Sequence, residues 1–166
     1  MRSLGIDPGT YNMGVGVVNV DRDVLSLVDA NVLKVRRGIA RPERLHKLYS
    51  ELLKYIALYE PDEVAIEEPF VARNVQSAIA VGQAQAVAMI AAAASGLNVA
   101  SYAPREVKLA VTGFGHSSKE QVQEMVFLTL GVIEQPMSLD ASDALAVSIC
   151  HINSRRVQAL TLEERL

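Results

Sequence analysis

Alternating apolar and polar stretches predict a sheet in the first part of the chain. Apolar residues dominate residues 3–7 and 14–20, and the polar turn at residues 21–23 separates them from a third extended stretch at residues 25–35. Runs rich in Val, Leu and Ile between turn residues are typical of strands. Because the connections are short, the three strands are predicted to pair as an antiparallel meander.

A helix and a fourth strand follow the meander. Apolar residues recur at the spacing of one helix face between Pro42 and Pro61, namely Leu45, Leu48, Leu52 and Ile56. The short apolar run at residues 63–67 is then interpreted as a strand. A strand, a crossover helix and a second strand imply parallel pairing, so the fourth strand is predicted to lie parallel to the first.

A long Ala-rich helix is predicted next. Asn74 is a suitable N-cap, the helix extends to about Ser95, and Gly96 suits the left-handed position after a helix end. Gly82 lies in the middle of this helix, where glycine costs about 1 kcal/mol relative to alanine. We therefore expect another element, such as a partner helix, to approach closely at Gly82.

The chain then contains a fifth strand and two further helices. Residues 97–102 form the strand, and Pro104 suits the first position of the helix that follows. Ser117 and Glu120 have the spacing of a capping box for the next helix, which Gly131 ends.

A last helix completes a single domain. Ser138 is predicted to cap this helix, which extends to about Arg156. Residues 1–157 therefore form one α/β domain, in which a mixed five-stranded sheet is flanked by helices. Residues 158–166 are expected to form a frayed tail.

Composition and charge narrow the classes of protein. Apolar residues make up 50% of the 166 residues and charged residues 21%, which is typical of a globular domain. There is no leader pattern and no uninterrupted apolar run of membrane-spanning length, so a cytoplasmic protein without membrane contact is expected. The single cysteine, Cys150, excludes an intramolecular disulfide. The net charge of -3 argues against a uniformly basic surface but is compatible with a local basic face.

Acidic residues end two of the apolar runs and recur at the start of the last helix. Asp7 and Glu67 end the first and fourth strands, and parallel pairing of these strands would place them side by side. Asp140 and Asp143 are three residues apart, so they share a helix face that can point at the same edge. Taken singly, each position also suits a turn, a solvated strand end or a helix N-terminus.

Together, the four carboxylates predict a metal site. Carboxylates that converge in one place repel each other unless cations neutralise them, and their hard oxygen atoms suit Mg²⁺ or Mn²⁺. Two such ions about 3.5 to 4 Å apart activate water and stabilise the leaving oxygen in phosphodiester cleavage. The sequence thus predicts nuclease chemistry with two ions in the site.

Five motifs along the chain resemble one family of nucleases. They are GIDPGT at residues 5–10 with Gly14 and Gly16, AIEEPF at residues 65–70, GQA at residues 82–84, YAPREVK at residues 102–108 and DASDALA at residues 140–146. In this order they resemble the RuvC-type Holliday junction resolvases of the ribonuclease H-like superfamily. The resemblance extends from residue 4 to residue 151.

The resemblance implies a fold, an activity and a set of partners. A ribonuclease H-like domain would form a homodimer that binds four-way junction DNA and cuts two opposed strands in recombination and repair, alongside branch-migration machinery. The catalytic metal ligands would be Asp7, Glu67, Asp140 and Asp143. The family has an acid or a histidine at position 140. It tolerates glutamine at the position of Glu68, which is therefore placed outside the ligand set.

Further residues are predicted to contact the DNA. Lys108 and Lys119 match basic positions of the family near the scissile phosphate and are expected to stabilise charge in the transition state. Phe70 either anchors its loop in the core or, as the resemblance implies, contacts unpaired bases near the crossover, and Arg73 extends the same loop. Arg105 is another cation in a segment that adjoins the predicted site.

A basic run outside these motifs is one more candidate. Arg36, Arg37, Arg41 and Arg44 either contact a DNA arm or form a solvated face. The sequence pattern leaves both interpretations open.

Three alternative functions fit parts of the same pattern. The turn at residues 7–10 is similar to the phosphate-binding loops of actin-like and sugar-kinase-like ATPases, but those proteins enclose ATP between two domains and 166 residues hold one. A non-catalytic nucleic-acid-binding module would not need every acidic position to be filled. A ribonuclease H-like nuclease that acts on other branched DNA or on RNA would use the same site.

Overall fold

A computed structural model describes residues 1–69, 75–133 and 137–163 and contains one five-stranded sheet within them. The strands are β1 (Arg2–Asp7), β2 (Asn12–Asp21), β3 (Val24–Lys34), β4 (Glu63–Glu67) and β5 (Asn98–Tyr102). Their order in the sheet is β3-β2-β1-β4-β5. The first three strands pair antiparallel, whereas β4 pairs parallel with both β1 and β5. The mixed sheet predicted from the sequence is confirmed.

Five helices flank the sheet in the described part of the chain. They are α1 (Arg41–Tyr59), α2 (Val75–Ala94), α3 (Pro104–Thr112), α4 (Lys119–Leu130) and α5 (Leu139–Glu163). Gly96 and Gly131 have positive φ angles of 73° and 64°, which confirms their predicted positions after helix ends. The predicted N-cap Asn74 lies outside the described residues.

The predicted cap of α4 is wrong by one residue. Ser118 is the N-cap, since its hydroxyl accepts a hydrogen bond from Gln121 N and its own N–H donates to Gln121 Oε1. The hydroxyl of Ser117 is buried in the preceding turn, where it lies 2.7 Å from Thr112 Oγ1 and donates to the carbonyl of Phe114. A side chain engaged in that turn is not available to cap the helix.

Helix α5 is longer than predicted. It continues to Glu163 instead of ending near Arg156, so residues 157–163 are helical and only residues 164–166 lie beyond the described chain. Two ion pairs hold the helix just before this extension. Arg155 Nε lies 3.2 Å from Glu63 of β4, and Arg156 Nε lies 3.3 Å from Asp23 in the turn between β2 and β3. With no glycine or proline after Arg156, nothing in the local sequence ends the helix earlier.

The expected close approach at Gly82 is not present in the described chain. A Cβ atom added at Gly82 would meet no heavy atom within 4 Å. Close approach occurs instead between the sheet and α5. A Cβ at Gly5 would lie 2.0 Å from the carbonyl oxygen of Ala144, and a Cβ at Gly16 would lie 2.8 Å from Leu145. Glycines on β1 and β2 therefore allow α5 to lie almost directly on the strands.

The two faces of the sheet differ in side-chain size, because α5 packs almost directly on one of them. Side chains alternate between faces along a strand. The face covered by α1 and α2 carries large residues, namely Leu4, Ile6, Met13, Val15, Val17, Val64 and Ile66. The face covered by α5 carries Gly5, Gly14, Gly16 and Ala65. The residues that end β1 and β4, two positions after Gly5 and Ala65, consequently point towards α5.

Candidate active site

Asp7 and Glu67 lie side by side at the carboxyl ends of β1 and β4. Ile6 pairs with Ile66 in the parallel ladder, so the next residues of the two strands are neighbours. The two carboxyl groups are close enough for each to affect the pKa of the other. The predicted adjacency of these two acids is confirmed.

The first turn of α5 reaches the same edge of the sheet. Ser138 Oγ accepts a hydrogen bond from Ala141 N at 3.3 Å, which confirms the predicted cap. A Cβ atom at Gly14 would lie 2.0 Å from the carbonyl oxygen of Asp140 and 3.2 Å from Asp7 Cβ. The absence of a side chain at Gly14 therefore lets Asp140 approach Asp7.

The charges of the other three acids affect the pKa of Asp7. The pKa of Asp7 is raised from 3.8 to about 8, first by burial and then by the charges of nearby carboxylates. These carboxylates belong to Glu67, Asp143 and Asp140, and the Lys119 ammonium opposes them. The geometry agrees, since strand pairing sets Asp7 beside Glu67, Asp140 adjoins Asp7 across Gly14, and Glu67 and Asp143 line one cleft. The structure therefore brings all four predicted acids to one edge of the sheet.

The pKa of Glu67 is also raised. Burial is the main cause, and the charge of Asp143 adds to it. The hydrogen bond from Asp7 and the charges of Lys119 and Lys108 act in the opposite direction. Asp7 and Glu67 thus hold a proton between them near neutral pH, because two buried carboxylates in contact do not both ionise easily.

Two lysines complete the site. Lys119 Nζ lies 2.6 Å from Asp143 Oδ2, and this hydrogen bond is the main reason that the pKa of Lys119 is raised. Lys108 Nζ donates to the carbonyl of Ser117 at 2.6 Å. Glu67, Lys108, Lys119 and Asp143 line one cleft of about 220 Å³. Both lysines predicted from the sequence therefore lie beside the acids.

The donor set fits a hard divalent cation. It consists of carboxylate oxygens, which are the ligands that Mg²⁺ and Mn²⁺ prefer. Among the described residues, no three His, Cys, Asp or Glu side chains are already arranged as a metal cluster. The raised pKa values of Asp7 and Glu67 indicate partly buried carboxylates close to other negative charge. A proton on Asp7 and the ammonium of Lys119, which is bonded to Asp143, offset the negative charge that a metal ion would offset.

The other predicted residues have separate locations. Arg105 is exposed and lines a neighbouring cleft of about 510 Å³ with Lys108 and His116. Glu68 is exposed, and its backbone N–H donates to the carbonyl of Tyr102. That position agrees with its place outside the ligand set. Two predicted DNA contacts, Phe70 and Arg73, lie outside the described residues.

Sequence reasoning missed a partly buried polar network between α5 and the sheet. His151 Nδ1 lies 2.8 Å from the hydroxyl of Tyr102, and His151 Nε2 lies 2.7 Å from Glu63 Oε2. The three residues connect α5, β5 and β4, the strand that ends in Glu67. The only signal in the sequence is that His151 falls on the same face of α5 as Ala144 and Ser148, at helical spacing.

Comparisons with known proteins agree with this geometry. The family model of the crossover junction endodeoxyribonuclease RuvC matches residues 3–151. The RuvC of Dehalococcoides mccartyi strain 195 is 48% identical over 161 residues, covering 97% of this chain and 98% of that protein. The RuvC of Chloroflexus aggregans is 51% identical over 151 residues, covering 91% and 92%.

A solved structure extends the comparison to three dimensions. Thermus thermophilus RuvC in complex with a Holliday junction substrate superposes with a TM-score of 0.88. It is 34% identical to this chain, and the match covers 95% of this chain and 96% of that one. The sheet and its acidic edge define a nuclease of the ribonuclease H-like class. The chain belongs to the RuvC family of crossover junction endodeoxyribonucleases.

Proposed function

We propose that this protein resolves four-way DNA junctions by symmetrical paired nicks, one made by each subunit of a homodimer, with two Mg²⁺ or Mn²⁺ ions in each active site. The observation that carries the proposal is the meeting of Asp7, Glu67, Asp140 and Asp143 at one edge of the sheet beside two lysines. Acids alone would repel a phosphodiester. Acids that hold divalent ions attract it and supply the chemistry to cleave it.

The acids have the task of holding ions. Asp7, Glu67, Asp140 and Asp143 would bind the divalent ions, which supply an activated water and stabilise the leaving oxygen. Asp7 must lose its proton before it can act as a ligand, because a protonated carboxyl is a poor donor to a metal ion. The buried position of Asp7 and Glu67 keeps bulk water away from their oxygens, which strengthens their attraction for a cation.

The two lysines have different tasks. Lys119 is 58% exposed and bonded to Asp143, so it can exchange this carboxylate for a phosphate of the bound strand. Lys108 is held by the carbonyl of Ser117 at 2.6 Å, which fixes its ammonium at the wall of the cleft. A fixed cation beside the developing negative charge stabilises the transition state without reorganisation.

Helix α2 is the proposed subunit interface. Its inner side is buried in the core and consists of Ala84, Ala88, Ala91 and Ala92. Its outer side exposes Val75, Ile79, Met89 and Ile90. By length and composition alone α2 is apolar enough to cross a membrane, yet only 22% of its most apolar stretch is buried within the described chain. An apolar helix face of this extent in a single domain is typical of a protein interface.

The remaining assignments follow from the sequence. Arg105 would bind a phosphate at the neighbouring cleft, where Lys108 also lies. Base contacts by Phe70 and Arg73, a cytoplasmic location and cooperation with branch-migration machinery stay predictions.

Incubation with a synthetic four-way junction and Mg²⁺ tests the proposal. We expect paired nicks at symmetrical positions in two opposed strands, and an Asp7→Asn variant that binds the junction without cutting it. Nicks in one strand only, or cleavage by the Asp7→Asn variant at the wild-type rate, would contradict the proposal. Preferential cleavage of an RNA–DNA hybrid or of a three-way branch would favour the alternative nuclease instead.

A further inference from the structure

One segment of this acidic protein is strongly basic. Between residues 34 and 47 the chain contains six lysines and arginines and a single acid, Glu43, whereas the whole chain has a net charge of -3. The basic residues are Lys34, Arg36, Arg37, Arg41, Arg44 and Lys47. A cluster of positive charge on a protein whose net charge is negative indicates a local surface that binds anions.

This segment starts at the edge of the sheet that carries the acids. Lys34 at the end of β3 pairs with Asn12 at the start of β2, and Gly14 of the same strand pairs with Asp7. The N–H of Val35 then donates to the carbonyl of Tyr11 at 2.8 Å. The segment therefore leaves the sheet beside the turn that follows Asp7, and α1 begins there.

Tyr11 and Arg44 form the base of this surface. The Arg44 guanidinium lies 4.1 Å from the centre of the Tyr11 ring, and the Arg37 guanidinium lies 5.9 Å from it. Arg44 is only 7% exposed, and its Nε has no hydrogen-bond partner among the described residues. A buried guanidinium nitrogen without a hydrogen-bond partner is costly, and an anion bound to the Arg44 guanidinium would offset this cost.

The outer arginines are available to a ligand. Arg36, Arg37 and Arg41 are exposed, and none of them forms an ion pair with a carboxylate in the described ranges. Ala40, the N-cap of α1, provides no side-chain hydrogen bond to the first turn. The free N–H groups and the positive end of the helix dipole thus add to the attraction for anions.

We infer that this surface binds the phosphate backbone of a duplex DNA arm that leads away from the cleavage site. It consists of Tyr11, Arg36, Arg37, Arg41 and Arg44 and is here named the arginine ledge. The inference rests on the proposed junction cleavage and adds a binding surface to it. Planar guanidiniums bind phosphate oxygens with two parallel hydrogen bonds, and a row of them follows a backbone without reading its sequence.

The test measures DNA binding in the absence of cleavage. Fluorescently labelled four-way junction and linear duplex with the sequence of one arm are titrated with the full chain in EDTA at several KCl concentrations. The test variant is Arg36→Gln/Arg41→Gln, since both side chains are exposed and unpaired in the described structure. The matched control is Arg22→Asn/Lys54→Gln, which also removes two positive charges from exposed positions. Arg22 lies in the turn between β2 and β3 at the opposite edge of the sheet.

We expect the ledge variant to bind both DNAs about 5- to 30-fold more weakly near physiological salt. Its plot of log affinity against log salt should be shallower by about 2, because each phosphate contact contributes roughly 0.9 to the slope. The control should stay within about 2-fold of the wild type. Tyr11→Leu should weaken binding about 3-fold while the melting temperature stays near that of the wild type, since the ring only orients Arg44 and Arg37.

Three results would overturn the inference. The first is a ledge variant whose log affinity depends on log salt as steeply as that of the wild type. The second is a control variant that loses as much DNA affinity as the ledge variant. The third is a ledge variant that binds the junction more weakly but binds the linear duplex as the wild type does. The proposed function fails separately, if the wild-type protein neither cuts nor prefers the junction. A ledge variant with unchanged binding, made from a wild type that cuts junctions, would refute the ledge alone.

Discussion

Lys119 Nζ lies 2.6 Å from Asp143 Oδ2, so a cation of the protein itself is bound to one of the acids that are assigned to metal ions. A second acid, Asp7, is neutralised by a proton. The site is therefore neutralised by its own groups, which a metal ion and a DNA phosphate must displace.

Replacing Lys119 tests this competition. We expect Lys119→Gln to bind Mn²⁺ a few-fold more tightly in calorimetric titrations, because Asp143 no longer has an ammonium partner. Junction cleavage should fall by roughly 10²- to 10³-fold, as for the loss of a cation beside the transition state. The matched variant Lys108→Gln should also lose activity but gain less metal affinity, since Lys108 is bonded to a backbone carbonyl. Weaker Mn²⁺ binding by Lys119→Gln would exclude competition.

The stability of the metal-free protein should depend on the charge of Asp7. Its pKa is raised to about 8, so the folded state retains a proton that the unfolded state loses near its usual pKa of 3.8. The free energy of unfolding should therefore fall as the pH rises from about 4 to about 8. Asp7→Asn carries no charge and should be more stable than the wild type by roughly 1 to 3 kcal/mol at about pH 8.

Thermal unfolding in EDTA checks this expectation. At about pH 4 the two proteins should melt at more similar temperatures, because the loss of stability begins only as the pH rises above 3.8, the usual pKa at which Asp7 ionises in the unfolded wild type. Melting curves that differ by the same amount at both pH values would show that the charge of Asp7 is not the cause.

Metal binding should release protons. Asp7 is protonated near neutral pH, and it must ionise to become a ligand. Titration with Mn²⁺ at about pH 7 in buffers of different ionisation enthalpy should show close to one proton released per site, and the Mn²⁺ affinity should rise between about pH 6 and pH 9. Equal heats in all buffers would contradict the raised pKa.

Replacing Gly14 or Gly82 with alanine should change the free energy of unfolding in opposite directions. A Cβ at Gly14 would lie 2.0 Å from the carbonyl oxygen of Asp140, so Gly14→Ala must displace the start of α5. We expect a loss of roughly 1 to 3 kcal/mol in unfolding free energy, together with loss of cleavage. In the described part of the chain, a Cβ at Gly82 would meet no heavy atom within 4 Å, so Gly82→Ala should stabilise α2 by about 0.5 to 1 kcal/mol. Chemical denaturation of both variants is the measurement, and a neutral Gly14→Ala would argue against close packing of α5 on β2.

Most of the elements could be predicted because their signals are local. The strands that end in Asp7 and Glu67 were recognised from short apolar runs, and their parallel pairing followed from the helix between them. Gly96 and Gly131 end helices in the left-handed conformation, which depends on a few neighbouring residues. The local pattern does not distinguish Ser117 from Ser118 as the cap of α4, because only the turn around Thr112 engages the hydroxyl of Ser117.

The chemistry of the site required contacts between distant segments. From the sequence alone, four acids and two lysines could be named as one site, because strand pairing and helix periodicity bring their positions to one edge. Tertiary structure decided that α5 approaches Gly14, whereas no heavy atom of the described residues lies within 4 Å of a Cβ at Gly82. It also decided that His151 connects Tyr102 to Glu63. Periodicity and capping act over a few residues, whereas close packing, burial and raised pKa values arise only when separate segments exclude water together.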